Sequence, residues 1–138
     1  MHEFALAEGV IAAAMQAAAE GGVHRIATVR VAVGELQQID PETFTGALRE
    51  LVPATSEALI GAGFEVTLEP ALLRCRACNA EFGLPAAGGT TLDEQASEAV
   101  HFVPELAHTW LRCPSCGSPD FEVIRGRGVW LTAVEGAG

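Results

Sequence analysis

Cys75-Arg76-Ala77-Cys78 and Cys113-Pro114-Ser115-Cys116 are the two stretches on which this chain turns, and between them they hold every cysteine it has. Each pair places two thiolates on one tight turn, and two such turns complete a tetrahedron around Zn(II). Asn79 and Gly117 follow directly, residue types that tolerate the left-handed backbone needed at the exit of a metal-binding turn. The 34 residues from 79 to 112 exceed a compact ribbon's spacer, which runs to roughly 15–20, so an insertion leaves and returns. A tetrathiolate zinc site carries a net charge of about −2, and Arg74, Arg76 and Arg112 stand where they offset it. Redox dithiols and an iron site are the competing uses of the same sulfurs. A redox pair expects a strand-to-helix setting, whereas both pairs here are flanked by strand-like sequence. A closed four-sulfur site has no open coordination position, so it is structural and the function lies elsewhere.

Outward from the cysteines, 138 residues suit a small domain carrying a smaller module. Apolar residues make up 49% and charged residues 19%, enough for a buried core. The net charge is −10 and all eight cations are Arg. Such a chain repels phosphate backbones, which disfavours nucleic-acid and anionic-membrane binding. The strongly apolar run Val10 to Ala19 falls short of the roughly 20 residues of a membrane span. Glu3 stands where a secretory signal carries positive charge, and paired cysteines without a disulfide framework suit a reducing compartment. A cytoplasmic protein is expected.

The sequence on either side predicts an α+β fold. Residues 2–20 read as a helix with Leu6, Val10, Ala13 and Ala17 on its apolar stripe and Ile11 and Met15 alongside, ended by Gly21-Gly22. Arg25 to Val33 is a β-branched strand. Asp40-Pro41-Glu42 starts a second helix reaching about Leu51, with Asp40 as N-cap and Pro41 at the first helical position. Phe64 to Glu69, Phe121 to Ile124 and Val129 to Val134 read as further strands, and Pro85 to Thr91 as a loop. Two helices on a short sheet thus occupy residues 1–70, a zinc-ribbon-like module with its long insert residues 71–127, and a returning strand residues 128–138. Trp110 and Trp130 are expected in packing roles.

Among the histidines His2 is the unusual one, because next to the amino terminus an imidazole and backbone nitrogens form fused chelate rings that favour square-planar Ni(II) or Cu(II). The alternative is a terminal His with no role. Met1-His2-Glu3, Gly34-Glu35-Leu36, the two cysteine pairs and Gly126-Arg127-Gly128, in that order over essentially the whole chain, resemble the HypA family of hydrogenase-maturation nickel metallochaperones. The resemblance implies a nickel-binding domain with a zinc module inserted before its last strand, delivering Ni(II) to the large subunit of a [NiFe] hydrogenase with a HypB-family GTPase as partner. Urease as a second client stays open. It further implies His2 and the Glu3 backbone nitrogen as nickel ligands, with Met1 offering its amino group. The spacer is similar to the long-insert branch, in which a His of the zinc module completes the site. His101 fits that place, and His108 is the fallback. Asp40 has two uses, an auxiliary nickel ligand by the resemblance and a helix cap by its position.

No GxxxxGK[ST] loop occurs and the chain has no Lys, so it is not expected to hydrolyse GTP. Nor does the sequence place a general acid and base near His2, so no enzyme is expected. The rival function is a zinc-ribbon adaptor in a nucleic-acid or polymerase-type assembly, against which the net charge speaks.

Overall fold

The computed structural model describes residues 2–52, 57–88 and 92–137. The chain groups into two compact units, one of residues 1–33, 39–68 and 129–138, the other of residues 34–38 and 69–128.

In the first unit, helix α1 (His2–Glu20) leads to strand β1 (Ile26–Gly34), helix α2 (Pro41–Leu51) and strand β2 (Gly63–Glu69), and the chain returns as β6 (Val129–Gly136). The sheet order is β2-β1-β6, with β6 antiparallel to β1. Both helices pack in this unit, α1 against α2 and β6. Val29, Val31 and Val33 of β1 meet Ile11, Phe44, Leu48, Leu59 and Phe64 in one buried cluster. The face of α1 agrees with the sequence expectation at Val10 and Ile11 and departs from it at the alanines. Its buried stripe is Ala7, Val10, Ile11, Ala14 and Ala18, while Ala13 is exposed and Leu6 and Ala17 are half-buried. A helix this rich in alanine carries little contrast between its faces, so tertiary packing selects the face and small side chains allow close approach.

Helix α2 begins as expected: the Asp40 carboxylate accepts from Thr43 N and Thr43 Oγ1, both at 3.0 Å, and Pro41 needs no partner for its missing N–H. Asp40→Ala is expected to lower the unfolding free energy of this unit by about 1 kcal/mol, whereas Asp40→Asn, which still caps, retains most of it. Urea unfolding followed by circular dichroism measures the difference.

The second unit contains β3 (Leu72–Cys75), β4 (Glu81–Phe82), α3 (Glu94–Phe102), the short α4 (Ala107–Trp110) and β5 (Phe121–Arg125). Its sheet order is β4-β3-β5, with both neighbours antiparallel to β3. Leu36, Leu73, Phe82, Leu84, Val100, Leu111 and Phe121 form its core together with Cys75 and Cys113. The two sheets share a device in which an Arg on the central strand reaches acids on both flanking strands. Arg30 pairs with Glu65 on β2 at 2.6 Å and with Glu135 on β6; Arg74 pairs with Glu81 on β4 at 2.9 Å and with Glu122 on β5 at 3.3 Å. Trp110, expected in a packing role, is instead 40% exposed, because the four-residue α4 buries Ala107 and turns the indole outward. Trp130 is half-buried in β6. Among the described residues no helix is long and apolar enough to cross a membrane.

Candidate metal centre

The two cysteine pairs fold into matching knuckles. In the first, Cys75 N donates to Ala80 O and Asn79 N donates to Cys75 O, each at 2.9 Å. In the second, Cys113 N donates to Ser118 O at 3.0 Å and Gly117 N to Cys113 O at 2.9 Å. Asn79 and Gly117 take φ values of 62° and 75°, the left-handed turn expected of them, which lets the chain double back over its own sulfur pair. β3 delivers the first knuckle, and the extended segment after α4 delivers the second.

The ligand atoms of all four cysteines lie within 4.8 Å of one another, the one group of three or more His, Cys, Asp or Glu so arranged among the described residues. Cys75 Sγ is 3.5 Å from Cys116 Sγ, and Cys78 Sγ 3.7 Å from Cys113 Sγ. Tetrahedral ligation with Zn–S of about 2.3 Å sets S···S near 3.8 Å, so the donor set and its spacing fit Zn(II). One sulfur of each knuckle, Cys75 and Cys113, is buried in the core, and the other, Cys78 and Cys116, is exposed. The metal would therefore join the core to its rim.

Electrostatics within the cluster favour a first thiolate at Cys113. Burial pushes its thiol up, but the backbone N–H groups of Cys116 and Ser115 together with the side chains of Cys78 and Cys116 more than reverse this and bring it to about 7; Ser115 N lies 3.4 Å from that sulfur. At Cys116 the backbone N–H of Ser118 favours the thiolate, yet the neighbouring sulfurs and burial together push the thiol up to about 12. Cys78 is likewise raised, the Ala80 backbone N–H being outweighed by burial and the sulfurs of Cys113 and Cys75. A second negative charge beside the first is costly until a divalent cation arrives.

The arginines expected to offset the thiolate charge are engaged elsewhere. Arg74 pairs with Glu81 and Glu122, Arg76 with Asp120 at 3.0 Å, and Arg112 donates to the carbonyls of His108 and Leu111. Acids spaced across the sheet and loops compete for these guanidinium groups, which the local sequence around the cysteines does not show. Arg127 pairs with Glu105.

The expected nickel ligands lie in different elements. Met1 lies outside the described residues, and His2 is the first residue of α1. Glu3 is in the first helical turn, where an acid suits the macrodipole. Asp40 caps α2. His101 sits on α3, only 6% exposed, with Nδ1 2.7 Å from Gln37 O. His108 is not a free surface residue: its ring stacks on Phe121 at 4.0 Å, and Nδ1 lies 2.9 Å from Pro119 O. His24 is exposed.

Two features went unread in the sequence. Helix α3, which carries His101, was signalled by Asp93, whose side chain accepts from Ala96 N at 2.8 Å as an N-cap, and by Ala96 and Val100 at helical spacing. The second is the segment Gly34–Gln38, which groups with the second unit. Glu35 Oε1 accepts from Ala71 N at 2.9 Å, Leu36 N donates to Gly126 O at 2.9 Å, and Gln37 Oε1 accepts from Gly128 N at 3.0 Å. The Gly-Glu-Leu and Gly-Arg-Gly motifs are thus two sides of one hydrogen-bonded contact.

Comparison with known proteins bears on what this assembly is. A family model described as HypA, hydrogenase/urease nickel incorporation, metallochaperone, matches residues 1–136. The chain is 39% identical over 137 residues to the hydrogenase maturation factor HypA of Thermococcus onnurineus, covering 98% of this chain and 95% of that one. It is 28% identical over 134 residues to the HypA of Francisella philomiragia, covering 97% of each. Its fold is similar to the solution structure of the Ni metallochaperone HypA from Helicobacter pylori, with TM-score 0.61 and 20% identity over 96% of this chain and 95% of that one. With a family model spanning both units and relatives matched nearly end to end, the chain belongs to the HypA family of nickel metallochaperones for hydrogenase maturation.

Proposed function

We propose that this chain binds Ni(II) at its amino terminus and hands it to the large subunit of a [NiFe] hydrogenase, with a HypB-family GTPase as the source of the nickel. The observation that carries the reading is the family match over residues 1–136, which takes in the Met1-His2-Glu3 start and both cysteine pairs. The first unit is the nickel-binding domain and the second the zinc module, its Cys75, Cys78, Cys113 and Cys116 holding structural Zn(II). His2 supplies imidazole, Glu3 its backbone nitrogen and Met1 its amino group, and His101 completes the site from the zinc module. Asp40 is left to its capping role, which its hydrogen bonds to Thr43 already account for. The protein acts in the cytoplasm as a carrier, not as an enzyme. Urease is the second client that the family description names.

A carrier must outcompete water and still release its ion. Ligands at a chain end meet both demands, because an acceptor's donors can approach the open side and exchange one bond at a time. A His contributed by another part of the chain adds control, since a partner that favours one coordination state over another shifts the nickel affinity by its differential affinity for the two. The rival adaptor reading loses support from the arginines. Arg74, Arg76 and Arg127 are paired with carboxylates, and a net charge of −10 opposes a phosphate backbone.

Nickel titration of zinc-loaded protein with a native, untagged amino terminus tests the assignment, by calorimetry and ultraviolet-visible absorption on wild type and His2→Ala. One Ni(II) per chain is expected for wild type, with binding lost in the variant and zinc content unchanged. Equal nickel binding by both proteins would overturn it.

A further inference from the structure

An imidazole can ligate a metal through either nitrogen, and in His101 the structure distinguishes them. Nδ1 lies 2.7 Å from the main-chain carbonyl oxygen of Gln37. A carbonyl only accepts hydrogen bonds, so at this distance Nδ1 carries the proton and donates it. In the neutral ring Nε2 is then the nitrogen with the lone pair, the form in which histidine binds metals while its second nitrogen is held by an acceptor. Free histidine in water favours the opposite tautomer, so the protein imposes this one. We infer that Gln37 is a positioning residue of the nickel site, its carbonyl fixing His101 in the Nδ1–H tautomer and so making Nε2 the ligating atom. This rests on His101 as a nickel ligand.

The acceptor is itself held in place. Gln37 is 6% exposed, and its side-chain Oε1 accepts from Gly128 N at 3.0 Å. On one side of it Leu36 N donates to Gly126 O at 2.9 Å. On the other, Gln38 is turned into the left-handed region at φ 53°, and its Nε2 donates to Glu35 O at 2.9 Å. Gln38 Oε1 accepts from Ser97 Oγ at 2.8 Å, and Ser97 lies one helical turn before His101 on α3. Helix α3 brings the ring, the 34–38 segment brings the carbonyl, and the Ser97–Gln38 bond ties the two elements at a second point. Gln37, directly after the Gly34-Glu35-Leu36 motif, thereby acquires a chemical role that a turn alone would not need.

The tautomer is measured directly on zinc-loaded, nickel-free full-length protein labelled with 15N-histidine, from long-range 1H–15N correlations at neutral pH. A protonated Nδ1 and a bare Nε2 at His101 are expected. A proton on Nε2 would overturn the inference, and this spectrum needs no variant that must fold. Adding Ni(II) should then shift the Nε2 resonance. A correct tautomer with Nε2 unmoved by nickel would remove His101 from the ligand set and with it Gln37 from the nickel site, leaving only the hold of the Gln37 carbonyl on the ring. Gln37→Leu, which loses the acceptor for Gly128 N, should mix the tautomers and weaken nickel binding at least about tenfold at unchanged zinc content. Gln37→Glu, which keeps an acceptor oxygen, should restore both. An unchanged tautomer and nickel affinity in Gln37→Leu would overturn the positioning role.

Discussion

Cys113→Ser is expected to cost the second unit both its metal and its fold while leaving α1, β1 and α2 intact. Cys113 is 3% exposed and packs in the same cluster as Leu111 and Phe121. It also heads the second knuckle, accepting from Gly117 N through its carbonyl. A serine oxygen is a poor replacement for thiolate at a soft site and stays protonated at neutral pH. Structural zinc binding contributes about 10–16 kcal/mol at pH 7, which matches or exceeds the whole stability of a typical domain at about 5–15 kcal/mol. Loss of the site therefore has no reserve to draw on. Zinc analysis together with limited proteolysis reads the result: no bound zinc, rapid cleavage between residues 69 and 128, and a protected first unit. Retention of one zinc per chain with wild-type protease resistance would refute the claim that the metal holds this unit together.

Zinc also sets the sign of the pH dependence. Bound zinc requires thiolates, so protons compete with the metal and the stability of the second unit is lost as pH falls. Cys113 gives up its proton most readily, its thiol being held at about 7, whereas Cys78 and Cys116 are raised, Cys116 to about 12, and release theirs to the metal. Thermal melts of zinc-loaded protein across pH, with zinc content measured at each point, check the acid-side loss; a melting temperature and zinc content that do not fall on acidification would overturn it.

What was legible in the sequence follows the range of the interaction concerned. The knuckles are local, so CxxC followed by Asn79 or Gly117 was enough to place both left-handed turns. Asp40-Pro41 likewise predicted its cap, because acceptor and donor are three residues apart. The buried face of α1 was legible only at Val10 and Ile11, since alanine at Ala7, Ala13, Ala14 and Ala17 gives no local preference and the partner surface decides. The fate of Arg74 and Arg76 was hidden for a related reason. Glu122 and Asp120, which pair with them, lie more than forty residues away and become neighbours only through the pairing of β3 with β5 and the bond of Arg76 N to Asp120 O. Gly34-Glu35-Leu36 and Gly126-Arg127-Gly128 were each visible as motifs. That they are halves of one contact required the fold.

That contact gives the second large expected effect. Gly126 has φ 95°, and a Cβ there would stand 2.4 Å from Ala71 Cα and 2.8 Å from Ala71 N. Gly34 lies against its other side, where a Cβ would be 2.2 Å from Gly126 O. Three backbone segments approach at glycine distance and are fastened by Gly126 N to Glu69 Oε1 at 3.0 Å and Ala71 N to Glu35 Oε1 at 2.9 Å. Backbone cannot rotate away as a side chain can, so an added methyl must part the segments and break these bonds. Gly126→Ala is expected to cost about 1–2 kcal/mol for the left-handed conformation and about 1–3 kcal/mol more for overpacking. Gly128 supplies the control, because its φ is 93° but a Cβ there meets nothing within 4 Å. Gly128→Ala should show the conformational cost alone. Urea unfolding of both zinc-loaded variants separates the two contributions: a larger loss in Gly126→Ala measures the close approach, and equal losses would mean that the three segments yield to a methyl group at no cost.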